Sequence, residues 1–220
     1  MKELELPPVP EDLRTKREDR GAFHPAPDLA EWIRETFVAE DGPLAHPTHS
    51  HLRHAYIAAL WTNHEYNRKG RRVLGRADLA TAPHGVYGWD RARMSQQLRE
   101  WFGGWFDGSD PDFLITVFGP WVHRRRAEGD ALAIGALIEH ELCHCAQATD
   151  SNGAPKFDDM TGRPKFEITG HDVEAFTHEV RRYGAHSEAL DRMSKAFQEA
   201  PSVDEPTVRG VCGCGAPVAA

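Results

Sequence analysis

The chain has 220 residues, with 34 acidic against 26 basic side chains and a formal net charge of −8. Hydrophobic residues at 40% and charged residues at 27% are ordinary for a chain that buries one sizeable core and carries appendages. The acidic balance argues against nucleic acid as a partner, because phosphate backbones are held by an excess of Lys and Arg.

Residues 1–27 carry Pro7, Pro8, Pro10, Pro25 and Pro27 among many charges. They predict a flexible N-terminal arm. This stretch lacks the apolar run of a secretory signal, and no segment approaches the ~18 apolar residues that span a bilayer. A cytoplasmic protein with no membrane partner is expected. The four cysteines, in the pairs Cys143/Cys145 and Cys212/Cys214, then read as reduced thiols rather than a disulfide framework.

A domain is expected over 28–200. Its first helix has Leu29, Trp32, Ile33, Phe37 and Val38 on one face, with Asp28 and Glu31 as a capping pair. His46, His49, His51 and His54 fall in a polar stretch beside Pro47, which favours a solvated turn over a second metal site. "AYIAALWTN" fits a buried strand or a helix, and "RRVLGRADLA" has the length and flanks of a strand. "DRARMSQQLREWFGG" predicts a helix stopped by Gly103-Gly104, and "DFLITVFGPWV" a strand ended by Gly119-Pro120. "HRRRAEGD" reads as a solvated loop. A long helix follows Asp130, then a loop over 151–169, a helix opened by His171 and ended by Gly184, and a last amphipathic helix in "HSEALDRMSKAFQEA". From Pro201 to 220 a loose C-terminal tail is expected.

The long helix contains "LIEHELCHCAQA", in which His140, Glu141 and His144 form His-Glu-x-x-His. Residues four apart lie on one helical face, so His140 and His144 aim two imidazoles at one point. Two ligands of one tetrahedral ion need that geometry. Glu141, about 100° around the helix, cannot ligate at the same point but can reach a water beside it. A carboxylate there serves as general base while the metal acidifies the water. Leu132, Ile134, Leu137, Ile138, Leu142 and Cys143 make most of this helix apolar. Polar groups set in such a helix cost desolvation unless something pairs with them, and a zinc ion does so.

Catalytic zinc takes three protein ligands. Downstream, His171, Asp172, Glu174 and His178 are candidates. His171 stands first because Gly170 lets the backbone approach closely, and Glu174 comes next. Residues that do not ligate can orient a ligand imidazole, and His178 or Tyr183 can donate to a developing oxyanion.

At these residues the chain resembles the phage metallopeptidase domain family, and more distantly SprT-like zincin peptidases. The likeness rests on "HELCHC", "GHDVEAFTHEVRRYG", "HLRHAYIAALW", "GRRVLGRADL" and "DFLITVFGPWV", and it spans about residues 46–185. It implies an α+β, zincin-like fold, a small sheet packed on the metal-bearing helix, and a zinc-dependent peptidase acting on a protein or peptide substrate. It also implies that Gly170-His171 supplies the third ligand. The interval from His144 to His171 is longer than such proteins usually have. Of a C-terminal zinc ribbon only Cys212 and Cys214 remain. A zincin peptidase takes its substrate as a strand added to the sheet edge, and "DFLITVFGPWV", immediately before the metal helix, is the expected edge. The competing functions are a non-catalytic zinc-stabilised interaction module and a DNA-associated peptidase of the SprT type.

Overall fold

The computed structural model describes residues 6–17, 20–68, 70–81, 87–106 and 110–203, with the backbone of 216–217. It is an α+β protein, and its largest sheet has four strands. The arm expected over 1–27 is packed where it is described. Leu6, Val9 and Leu13 are buried in the core. The strand β1 (Phe23–Pro25) pairs antiparallel with β2 (Ile57–Thr62). Three apolar side chains placed three or four residues apart are enough to dock a charged segment.

The helix α1 (Pro27–Ile33) starts two residues earlier than the Asp28 cap predicts, with Ala26 at the cap position. Pro27 takes its first turn, where a missing N–H costs nothing, and the Asp28 carboxylate accepts from Leu29 N–H instead. The chain continues as a wider turn over Arg34–Val38. Residues Pro47–His54 form a 3-10 helix rather than a solvated turn, with His49 and Leu52 buried.

All six residues of β2 are buried, so both faces of this strand are covered. After β2 come the short strands β3 (Asn67–Arg68) and β4 (Arg71–Arg72), and then β5 (Gly75–Leu79). The helix α2 (Gly88–Trp105) runs through both glycines expected to stop it. Its Phe102, with Phe106 beyond its end, packs on Ala58, Leu60 and Leu114 and covers one face of the sheet. This packing outweighs the ~1 kcal/mol that each helical glycine costs.

The strand β6 (Phe113–Phe118) lies parallel to β2 and antiparallel to β5, giving the order β1-β2-β6-β5. The strand expected at the edge is therefore central, as its apolar residues on both faces require. Gly119-Pro120 opens a helix, α3 (Gly119–Ala127), where a loop was expected, again because proline is accepted in a first turn.

The helix α4 (Ala131–His144) is capped as predicted by the Asp130 carboxylate, which accepts from Ala133 N–H at 3.1 Å. Its Ile134, Leu137, Ile138 and Leu142 are fully buried against the other face of the sheet, each worth about 1.5–3 kcal/mol.

Beyond α4, β7 (Cys145–Gln147) and β8 (Phe166–Ile168) pair antiparallel. The intervening residues are not a slack loop. Ala148 N–H donates to Lys165 C=O, Lys165 N–H to Lys156 C=O, and Lys156 N–H to Ala148 C=O, a closed ring of three backbone bonds. Two turns grow from this ring, and the Asp150 and Asp158 carboxylates accept backbone N–H groups within them.

The helices α5 (Thr177–Tyr183) and α6 (Glu188–Ala196) contain no buried residue. The backbone of β9 (Ala216–Pro217) pairs with β4. The rest of the tail, with Cys212 and Cys214, lies outside the described residues. No described helix is long and apolar enough to cross a membrane.

Candidate metal centre

The last turn of α4 presents His140 and His144 on one side, with ring centroids 5.0 Å apart. His171 closes the group, its ring 5.1 Å from that of His140 and 4.7 Å from that of His144. One nitrogen from each ring lies within 4.8 Å of the others. The Nε2 atoms of His140 and His171 are 3.2 Å apart, close to the ~3.3 Å that separates two nitrogens on a tetrahedral ion at ~2.0–2.1 Å. Three imidazoles in this arrangement can hold a metal ion. Glu174 is not in the group, and neither is His178 or Tyr183; these two lie on α5, the first against Phe176 and the second exposed.

The electrostatics suit a cation. Burial pushes His140 down to about 4, and positive charge on His144 and His171 would push it the same way. Burial, with His144, also lowers His171, while Glu174 and Asp172 oppose the shift. Neutral imidazoles are the form that ligates. His144 has a fixed orientation: its Nδ1 is 2.7 Å from the Thr169 carbonyl, so Nδ1 carries the proton and Nε2 faces the group. Thr169 N–H in turn donates to His144 C=O at 2.9 Å.

His171 reaches the group from an irregular segment rather than from the start of a helix as expected; α5 begins six residues later. The β7–β8 hairpin turns the chain back to deliver it.

Glu141 points to the sheet. It is 3% exposed and accepts a hydrogen bond from Ala77 N–H on β5. Burial raises its carboxyl to about 7 against that hydrogen bond; Asp78 adds to the rise and Arg76 opposes it. Gly75 makes room for it. A β-carbon there would lie 2.7 Å from Glu141 Oε1 and 2.9 Å from Cγ.

The strand beside the site is β5, which has no further strand paired on its outer side among the described residues. Phe118 N–H donates to Leu74 C=O and Ala80 N–H to Asp112 C=O. Alternate residues of an antiparallel strand turn the same way, so Gly75, Ala77 and Leu79 direct their backbone groups outward. A glycine inside a strand pattern is the signal in the sequence that could have marked this close approach.

A second cluster lies on the neighbouring flank of α4. His49, 2% exposed, has Nε2 at 3.7 Å from Glu139 Oε1, beyond hydrogen-bond reach. Burial lowers this imidazole, but Cys143 and Glu139 outweigh burial and lift it to about 9. Cys143 and Cys145 are free thiols. Cys145 is buried, its thiol raised above its ordinary range chiefly by that burial. His51 Nε2 reaches the Cys145 carbonyl at 2.7 Å and braces the end of the helix.

The family described as "Putative phage metallopeptidase" matches residues 30–198. The chain belongs to this family. No curated protein and no solved structure matches the chain. The phage metallopeptidase match covers β2, β5, β6 and α4 and reaches through His171 to α6.

Proposed function

We propose that the chain is a zinc-dependent peptidase with a zincin-like arrangement, in which His140, His144 and His171 hold the metal and Glu141 is the general base. The observation that carries this reading is the presence, on one turn of α4, of two members of a three-imidazole group and of a buried carboxylate that bonds to the end strand β5 of the sheet. Three neutral nitrogens suit zinc and leave a position free. When bound, zinc supplies Lewis acidity, lowering the pKa of water and polarising a carbonyl.

The chain's own groups do the rest. An extended peptide lies along β5 and bonds to the outward backbone groups of Gly75 and Leu79 and to the Ala77 carbonyl, the Ala77 N–H being held by Glu141. Glu141, held near neutral pKa, takes the proton of the attacking water and passes it to the leaving nitrogen. Thr169 C=O keeps His144 in one tautomer throughout. The substrate is a protein or peptide, met in the cytoplasm. A metal site that only stabilised structure would have no use for a buried carboxylate beside it.

Glu141→Gln tests the mechanism. The amide keeps the shape but cannot accept the proton. Zinc content and folding should stay unchanged while hydrolysis of a casein-type substrate falls ~10²–10⁴-fold. Equal cleavage by variant and wild type would refute the role. Gly75→Ala should lower activity by about 10-fold or more at unchanged zinc content, because the added methyl displaces the carboxylate.

A further inference from the structure

The chain on the C-terminal side of His171 is neither helical nor buried before α5. The residues that follow it up to Phe176 are irregular, and α5 buries nothing. The ordered structure that leads into His171 is the hairpin on its N-terminal side. That hairpin lies against β5 and also meets two adjacent residues at the start of β6. Asp112 Oδ2 accepts from Tyr56 N–H at 2.8 Å, which fixes it to the sheet, and from Arg163 Nη2 at 2.8 Å. Phe113, fully buried, packs against Phe166 with the rings tilted and their centroids 5.1 Å apart. Arg163 and Phe166 stand eight and five residues before His171, with Thr169 between.

We propose that Arg163 and Asp112 form a latch that positions the third ligand: they anchor the hairpin on β6 and so aim Thr169 and His171 at the metal group. The inference rests on the metal-centre reading above, and its test separates the two. An ion pair this exposed, with Arg163 at 54% and Asp112 at 18%, adds little to global stability. Its loss should therefore register locally, in the segment it aims.

The experiment uses the full chain as wild type, Arg163→Ala and Arg163→Lys. Zinc affinity is measured by competition with a chromogenic chelator. Amide exchange at Thr169, whose N–H bonds to His144 C=O, is measured in the metal-free protein. Arg163→Ala should weaken zinc about 10-fold, within the range for outer partners of metal ligands. It should speed Thr169 exchange by a similar factor and leave the metal-free Tm within ~2 °C. Arg163→Lys should restore most of both, since a single donor contact is at stake. Unchanged Thr169 exchange in Arg163→Ala would overturn the latch whether or not zinc binds. So would a loss of affinity that merely follows a fall in Tm and is not rescued by lysine. A wild type that binds no zinc refutes the metal centre instead, and the exchange measurement still decides the latch.

Discussion

Two histidine environments flank α4, and they are opposites. On one side His140, His144 and His171 crowd together, with His140 held down to about 4. On the other, His49 is buried beside Glu139 and Cys143 and lifted to about 9. Glu139 and Cys143 share a face because they are four apart, and that face is roughly 100° from the His140 and His144 face. The first environment disfavours the charged form of His140 and His171 and leaves their nitrogens to a metal cation. The second supplies its own cation and invites nothing. Histidine count therefore says little about metal binding; what the ring faces says more.

The comparison predicts its largest difference in metal affinity. His140→Ala, His144→Ala and His171→Ala should each weaken zinc by more than the ~10–100-fold that loss of an outer partner costs. His49→Gln should change it less than about 3-fold, since His49 is not one of the three clustered imidazoles. Elemental analysis and chelator competition give both values. Glu174→Ala should behave like His49→Gln. If it releases the metal while His171→Ala does not, the third ligand is misassigned.

The next effect is on stability against pH, and the two environments carry opposite signs. In the metal-free protein His140 titrates near 4, against 6.5 in the unfolded chain. Between those values the unfolded state binds the extra proton, so the contribution of His140 rises with pH and is lost as pH falls through 4. His49 titrates near 9 against 6.5. Its contribution, of order 3 kcal/mol, is full below 6.5 and is lost as pH rises through 9. Glu141, raised to about 7 from 4.5, opposes His140 over most of the same window. Each slope is therefore isolated as a variant-minus-wild-type difference in urea midpoints. His140→Ala should flatten only the acid side and His49→Gln only the alkaline side. A His49→Gln curve parallel to wild type above pH 7 would show that His49 is neutral in the fold.

How far the sequence revealed these environments depended on range. The cap at Asp130, the register of His140 and His144, and the offset of Glu141 follow from one helix and its spacing. They were legible because helical geometry is local. The path of 148–169 was not, because it hangs on a ring of backbone bonds between residues far apart in the chain. Nor was the depth of His49, since Pro47 and four histidines read as polar while the 3-10 turn drives one ring inward. "DFLITVFGPWV" suggested an edge by its place in the chain, yet its apolar density on both faces marked a central strand. Leu6, Val9 and Leu13 were hidden among prolines and charges, where a sparse apolar pattern carries little signal until a surface exists to receive it.

The smallest expected effect tests the share of Glu139, the lesser partner beside Cys143, in holding the proton on His49. Glu139 Oε1 lies 3.7 Å away, too far for a hydrogen bond, and its side chain is 36% exposed. The carboxylate therefore acts through its field, partly across water on the Glu139 side, and a pair screened in this way is worth ~0.2–1 kcal/mol although the ring itself is buried. Glu139→Gln should destabilise the metal-free protein by about that amount at pH 6.5, where His49 is charged. Near pH 10, with the ring neutral in both proteins, the difference should vanish. Raising the ionic strength to 1 M, where the screening length falls to ~3 Å, should shrink it at pH 6.5 as well. Zinc affinity should move less than about 2-fold, because Glu139 faces away from the three imidazoles. A loss well above 2 kcal/mol at pH 6.5, insensitive to salt, would mean that Glu139 and His49 close into a direct charged hydrogen bond in solution. The flank of α4 opposite Glu141 would then be a braced ion pair, and the contrast between the two environments would be one of partner rather than of burial.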